Sequence, residues 1–348
     1  MDKILVSLVI ACYNEEAILA KSLESIDKYI HTQNKYEWEL ILVNDGSKDQ
    51  TPQIINEFAL NKEYVKVVHH LVNLNLGNAL KSGFKKSKGD YVITFDVDLS
   101  YSLDHIEKLL DTIEQTQAEV VLASPYMKGG KVTAVPFSRL FLSRIVNRIM
   151  SIASQEKFYT FTCMVRAYNG DFIRNLNLKT KDYEINSEII YKSLILRARI
   201  IEIPAHLDWS YQNSLGKGRV SGMHIFKGIM SGLMSSFIFR PYIYFIGVGT
   251  TLLLISIYII SWIFINTFRM YPIITANGQY FDDRFSAAVQ ALFQLRPYSF
   301  LVGGVTLIVA LQILSTGFLS LQNKRYYDEL FHLGSNLKDT NRNRQNHK

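Results

Sequence analysis

Residues 89–100 read Gly89-Asp90-Tyr91-Val92-Ile93-Thr94-Phe95-Asp96-Val97-Asp98-Leu99-Ser100. Five β-branched or aromatic residues in succession, opened by Gly-Asp, predict a buried strand. The aspartates that close it stand at i and i+2. In extended backbone they project to one side, so two carboxylates can converge on one cation. Magnesium binds through one or two carboxylates, with substrate phosphates and water completing its shell. Such an ion would neutralise charge building on a leaving diphosphate. A pair of this spacing arises about once by chance in a chain of this size, and the alternative is a loop acid capping a helix that starts near Ser102. Its place directly after a buried strand favours the metal.

The same strand signal recurs outward from this stretch. Strands are predicted at 4–11, 39–44, 65–70, 91–95 and 120–123, with amphipathic helical patterns between them at about 15–30, 50–62, 77–88 and 103–117. This alternation indicates βαβ units, hence an α/β domain with a Rossmann-like, mostly parallel sheet covered on both faces. Ligands of such sheets bind beyond the carboxyl ends of the strands. Four polar clusters fall there: Ala11-Cys12-Tyr13-Asn14-Glu15, Asn44-Asp45-Gly46-Ser47, Asn73-Leu74-Asn75-Leu76-Gly77-Asn78-Ala79 and Asp96-Val97-Asp98-Leu99-Ser100. A nucleotide site requires that gathering along one edge. Further on, a helix over 136–152 carries Arg139, Arg144 and Arg148 among Phe137, Leu140, Phe141, Ile145 and Ile149. A helix over 185–197 and a strand over 199–203 follow. Arg144 and Arg148 lie one helical turn apart and could clamp a phosphate; the alternative is snorkelling towards lipid headgroups.

The last third is different in kind. No charged residue occurs from 241 to 265 or from 298 to 321, and each run can cross a hydrocarbon core of about 30 Å as a helix. Two spans leave both termini on one side. Lys227, Arg240, Lys324, Arg325 and the tail residues Lys338, Arg342, Arg344 and Lys348 outweigh Arg269, Arg284 and Arg296 of the 266–297 loop, where Asp282 and Asp283 also lie. The N-terminal domain is therefore expected to be cytoplasmic. Residues 223–240 show a helical amphipathic pattern suited to the membrane interface. Four parts result: an α/β domain over 1–222, an interfacial helix over 223–240, two spans over 241–321, and a polar basic tail over 322–348 expected to be partly disordered. Gly303, Gly304 and Gln312 would permit close helix approach in a homo-oligomer.

The net charge of +7 suits an anionic leaflet and phosphorylated ligands. No basic block interleaved with aromatics points to nucleic acid, so no nucleic-acid partner is expected. The two cysteines, Cys12 and Cys163, lack metal-ligand spacing and agree with a reducing compartment. The apolar run 4–12 ending in Cys12 is short for a signal segment and leads straight into Asn14-Glu15-Glu16, so it reads as the first strand.

In order, Tyr13-Asn14-Glu15, Asp45-Gly46-Ser47, Asn73 with Gly77, Ala79 and Gly83, and Gly89-Asp90-Tyr91 with Asp96 and Asp98 resemble family 2 glycosyltransferases, which have the GT-A fold. Ala123-Ser124-Pro125-Tyr126, Gly129-Gly130, Ser143-Arg144, Thr162-Cys163-Met164-Val165-Arg166, and Glu188 followed by Glu202-Ile203-Pro204 narrow the likeness. Together they resemble the polyprenyl-phosphate branch, with dolichol-phosphate mannosyltransferase and bacterial undecaprenyl-phosphate glycosyltransferases. The similarity runs over about 4–222, and the two spans match the membrane-anchored bacterial subgroup.

The resemblance implies transfer of a hexose, with inversion, from a UDP- or GDP-linked nucleotide-sugar to a polyprenyl phosphate. It implies Mg2+ or Mn2+ on Asp96 and Asp98. It places Ala11, Tyr13, Glu15, Asp45, Gly77, Lys81, Asp96 and Val97 around the donor. Asp98, Arg144, Arg166 and Glu188 fall to catalysis, and Arg144, Arg148, Lys217 and Arg219 to the acceptor phosphate. From the residues alone, Tyr13 and Glu15 could instead cap the first helix, and Glu188 could pair with Lys192 at i+4.

Departures from the family pattern are Ala11 for a proline, Asn44 for an acid, Asn75 for a glycine, Ser100 for a glutamine, and Thr160 where an acid is usual. A lipid phosphate has a second pKa near 6, so its attacking oxygen is largely anionic and needs positioning more than a base. Two rival readings are a polysaccharide synthase and an inactive nucleotide-sugar-binding scaffold. Against the first, Gln212 is not followed by the usual Arg-Trp and there are only two spans; against the second, the Asp96/Asp98 pair is intact.

Overall fold

β-Branched and aromatic runs extend the chain where the pattern places strands: β1 (Leu5–Cys12), β2 (Glu37–Asn44), β3 (Val65–His69), β4 (Tyr91–Thr94) and β5 (Val120–Ser124). Between them lie α1 (Leu19–Thr32), α2 (Thr51–Ala59), α3 (Leu76–Lys86) and α4 (Asp104–Thr116). The computed structural model describes residues 3–154, 156–214, 240–274 and 281–346, together with Met234 and Phe237. It divides into two compact units, Met1–Ser236 and Phe237–Lys348.

In the first unit the chain continues through β6 (Lys131–Thr133), α5 (Phe137–Ser154), β7 (Arg166–Asn169), α6 (Gly170–Asn175), α7 (Ile185–Ile195), β8 (Ile200–Pro204), β9 (His206–Asp208) and α8 (Ser210–Ser214). The main sheet has the order β3-β2-β1-β4-β7-β5-β8, and β6 pairs with β9 in a small second sheet. All pairings of the main sheet are parallel except those of β7, which runs antiparallel between β4 and β5. The mostly parallel sheet is the one expected; the reversed central strand is not. Arg166-Ala167-Tyr168-Asn169 is short and begins and ends in polar residues, so it carries no strand signal of its own, and tertiary pairing decides it.

Alternation along β1 sorts the two faces. Val6, Leu8 and Ile10 join Leu19, Leu23 and Ile26 of α1 and Ile106, Leu109 and Ile113 of α4 in one core. Val9 points to the opposite face, where a Cβ on Gly83 of α3 would lie 2.3 Å from its Cγ1. Both faces are thus covered, as a parallel sheet requires. Leu8, Leu23 and Ile26 are fully buried, each worth about 1.5–3 kcal/mol of transfer free energy. A Leu23→Ala change should cost about 2–5 kcal/mol.

The second unit comprises α9 (Pro241–Met270), α10 (Phe281–Leu295) and α11 (Pro297–Asn346). α9 and the Pro297–Gly334 part of α11 are each long and apolar enough to cross a membrane. They pack on each other, and the Ser256 hydroxyl donates to the Gly303 carbonyl at 3.0 Å. Gly303 thus serves contact within the chain, whereas a Cβ on Gly304 would meet nothing within 4 Å.

Two expectations change here. The 266–297 loop is largely helical: α9 runs to Met270, and α10 buries Ala288 and Leu292. Asp282 and Asp283 sit at the start of α10, where the helix dipole favours acids. The tail is helical rather than disordered as far as Asn346, helped by a Lys324–Asp328 pair at i,i+4. The interfacial helix over 223–240 lies outside the described residues, apart from Met234, Phe237 and Arg240.

Candidate active site

Strand register brings the expected clusters to one edge. Cys12 pairs with Asn44, Asn44 with His69, and Val9 with Thr94, so β1 to β4 all finish on the same side. Because β7 is reversed, its first residue, Arg166, stands opposite Thr94 at that edge.

The turns after β1 and β2 form one unit. Asn14 takes a left-handed φ of 54°; its Oδ1 accepts from the Lys48 amide at 2.9 Å and its own amide donates to Ser47 Oγ at 3.0 Å. The Glu15 amide donates to Thr51 Oγ1 at 2.8 Å. Ala11 is the penultimate residue of β1, and Tyr13 beyond it is exposed. Gly46 has φ +68°, and a Cβ there would lie 2.2 Å from the Val72 carbonyl carbon, so only glycine admits the 72–73 backbone.

Asp45 is buried, and its Oδ1 accepts from His70 Nδ1 at 2.7 Å and from the Leu74 amide at 3.0 Å. At the start of α3, a Cβ on Gly77 would lie 2.6 Å from the Lys181 carbonyl carbon. Here the glycine makes room for a neighbouring backbone, whose Lys181 carbonyl accepts from the Asn78 amide at 3.3 Å. Burial lowers the Lys81 ammonium below the usual lysine range; Glu188 opposes this, and Lys181, Lys179 and Lys192 reinforce it.

After β4 the Phe95 amide makes a bond to Val9 O at 3.1 Å, and the chain turns through Leu99 at φ 51°. Val97 is buried in the core cluster, between the two aspartates. The Ser100 amide donates to Asp98 Oδ1 at 2.9 Å. Burial, reinforced by the Asp98 charge, pushes the Asp96 carboxyl up to about 8. Two like charges held this way are relieved by a divalent cation, and the all-oxygen donor set suits Mg2+ or Mn2+. Among the described residues no His, Cys, Asp or Glu joins them to make a three-ligand cluster, so phosphate oxygens and water would complete the shell.

Two residues assigned to catalysis are committed to bonds within the protein. Arg166 is fully buried, and its Nε, Nη1 and Nη2 donate to the carbonyls of Cys163, Asn186 and Phe161, each at 2.7 Å. It clamps the 161–165 segment to the start of α7. Glu188 is also buried. Its Oε1 accepts from the Lys179 amide at 2.8 Å and from Lys192 Nζ, and its Oε2 from the Thr180 amide at 2.9 Å and hydroxyl at 2.6 Å. Burial alone would raise its carboxyl; the bonds from Lys192 and Thr180 win and hold it below the usual range. The i+4 pair with Lys192 is formed.

Arg144 and Arg148 are exposed on α5, with Arg144 Cζ 5.9 Å from the Tyr126 ring centre. Phe137 and Phe141 stack at 6.3 Å, and with Ile145 and Ile152 they leave an exposed apolar face beside these arginines. Tyr126 OH donates to Ser143 Oγ at 2.9 Å, joining two separate motifs.

Arg139, one turn before Ser143, was not among the expected site residues. Its Cζ lies 4.1 Å over the Trp209 ring, and its Nη1 is buried without a hydrogen bond among the described residues. Burial lowers its guanidinium below the usual arginine range, opposed by Tyr126, Tyr183 and Asp98. The available signal was its i,i+4 spacing from the Ser143-Arg144 motif. His70 was missed because a histidine closing a strand reads as structural. Lys217 and Arg219 lie outside the described residues. At Thr160, where the family acid is absent, Glu202 Oε1 accepts from the Thr160 amide at 2.8 Å, and its Oε2 from the Tyr159 amide at 2.9 Å.

The chain is 24% identical over 226 residues to a dolichyl-phosphate beta-glucosyltransferase of Trichomonas vaginalis, covering 62% of this chain and 69% of that one. It is 28% identical over 202 residues to a dolichol-phosphate mannosyltransferase of Pyrococcus furiosus, covering 57% and 55%. It is 31% identical over 211 residues to an undecaprenyl-phosphate 4-deoxy-4-formamido-L-arabinose transferase of Proteus mirabilis, covering 60% and 62%. The match thus spans between about half and two thirds of those relatives' lengths. Residues 7–176, which hold most of β1, all of β2 to β5 and the aspartate pair, match glycosyl transferase family 2, and the chain carries a domain of that family.

Proposed function

We propose that the protein moves a hexose from a UDP- or GDP-linked sugar to a polyprenyl phosphate, with inversion, at the cytoplasmic face of a membrane crossed by α9 and α11. The observation that carries this reading is the aspartate pair beyond β4, with Asp96 held up to about 8 by burial and by Asp98. Asp96 and Asp98 would hold Mg2+ or Mn2+, which when bound supplies positive charge to the diphosphate of the donor. Tyr13 and Asp45 lie on the same edge and suit the base and ribose. The names of the three relatives support the acceptor class.

The acceptor's phosphate oxygen is already anionic near neutral pH, so no general base is called for. Glu188, with both carboxylate oxygens committed, is in keeping with that. Arg139 has a buried nitrogen without a hydrogen bond among the described residues, and its charge interacts with Tyr126, Tyr183 and Asp98. Arg144 and Arg148, one turn apart, form a cationic face suited to a phosphate, beside an apolar strip suited to an isoprenoid, while Arg139 lies on the other side of the same helix. Lys217 and Arg219 are assigned to the acceptor phosphate by resemblance.

The test uses detergent-solubilised full-length protein, a short polyprenyl phosphate, Mg2+ or Mn2+, and a panel of labelled nucleotide sugars. Label should enter the organic phase from one donor, and only with acceptor present. Asp98→Ala should abolish it. A protein that binds a donor tightly and transfers nothing would be a scaffold. For orientation, a Lys85→Cys thiol should react with an impermeant maleimide only after the cells are broken.

A further inference from the structure

The Asp45 carboxylate is held by a relay that starts on α3. Asp45 Oδ1 accepts from His70 Nδ1 at 2.7 Å, and His70 Nε2 lies 2.8 Å from Ser82 Oγ in the middle of that helix. The side chains of His70 and Asp45 are 9% and 5% exposed, so the contact is shielded from water. The Leu74 amide makes a second bond to the same oxygen at 3.0 Å, while Oδ2 accepts none among the described residues. Gly46, next in sequence, admits the 72–73 backbone that keeps the 70–74 loop seated. Since a carboxylate only accepts, His70 must carry its proton on Nδ1, and in the neutral ring Nε2 then accepts from the Ser82 hydroxyl.

Ser, His and Asp in this order also make hydrolytic triads. Ser82, however, is the seventh residue of α3, where neighbouring backbone N–H groups are spent inside the helix and cannot form an oxyanion hole.

We infer that His70 is a positioning residue for the donor nucleotide: it fixes the rotamer of Asp45 so that Oδ2 faces the ligand, and Ser82 fixes His70. This rests on the placement of Asp45 in the donor site proposed above.

Two isosteric substitutions separate positioning from mere loop anchoring. Asparagine can keep the bond that Nδ1 makes to Asp45 and loses the Ser82 link; glutamine can keep the Ser82 link and loses the bond to Asp45. UDP and GDP, each with Mg2+, are titrated calorimetrically onto full-length protein in detergent, with thermal unfolding as the check on folding. Asp45→Asn should weaken the nucleotide that binds. His70→Gln should weaken it about tenfold or more, and His70→Asn by less than about threefold. In turnover the His70→Gln loss should fall on the donor KM and leave kcat near its original value. The reverse order, with Gln tolerated and Asn weak, would mean that His70 only anchors the loop, and it overturns the inference. Equal affinities in both variants overturn it too. An unchanged affinity in Asp45→Asn overturns the placement of Asp45 and the inference with it. Absence of binding of either nucleotide to the unaltered protein overturns the donor-site reading itself.

Discussion

Glu188 on α7 and Asp96 beyond β4 are carboxylates of one domain that burial treats in opposite ways. Glu188 accepts from two backbone amides, a hydroxyl and an ammonium, and is held below the usual range. Asp96 is pushed up to about 8 by burial with Asp98 as its charged neighbour. Desolvation acts on both; what differs is whether the protein supplies the compensating positive charge. Where it does, the acid holds the molecule together. Where it withholds it, the acid is left for the cation proposed above. Charge and burial alone would have marked both as catalytic.

The contrast can be broken at either end. Glu188→Ala takes the carboxylate from the buried Lys192 ammonium, leaving it the Asn177 carbonyl, and should destabilise the domain by about 3–5 kcal/mol, measured by chemical unfolding of the full chain. Asp98→Ala should leave the unfolding midpoint nearly unchanged and lower transfer to lipid by about 100-fold or more. Equal loss of stability in the two variants would erase the distinction. Arg139→Leu removes the guanidinium, and with it both the contact over Trp209 and the nitrogen without a hydrogen bond. Transfer should fall about tenfold with little change in melting temperature.

The smallest effect is the sharpest in sign. A depressed native carboxyl such as Glu188 contributes stability that is present above about pH 4.5 and lost as pH falls through its native value. A raised carboxyl such as Asp96 does the reverse: the native protein keeps a proton that the unfolded chain sheds above about pH 4, so stability declines as pH rises towards 8. Glu188→Gln should flatten the acid limb of the melting temperature against pH. Asp96→Asn should raise the melting temperature of metal-free protein at pH 8, by roughly 2–4 °C for each kcal/mol regained.

The sheet was readable in the sequence because hydrophobic period and turn residues agree over β1 to β5, and strand ends then locate the site. β7 was not readable, because a four-residue strand led by a buried arginine owes its conformation to its two neighbours. Arg166 was given to catalysis by resemblance, and the sequence does not show the three carbonyls that its guanidinium reaches. Arg139 carries the same charge in a helix pattern with two other arginines, and only the tertiary fold shows which nitrogen remains open. His70 was invisible because its meaning lies in a partner 25 residues away. The helical 281–295 segment was passed over because its charges were read only for the orientation of the two spans.

Placing β7 between β4 and β5 also sets an order of events during synthesis. The inner edge of β4 stays open until Arg166, which pairs with Thr94, leaves the ribosome about 70 residues later. At about 5–20 residues per second that is a delay of roughly 4–14 s. Through that interval a nascent β3-β2-β1-β4 half-sheet exposes backbone donors and acceptors to any other chain. The edge left open is that of the strand that leads into the aspartate pair.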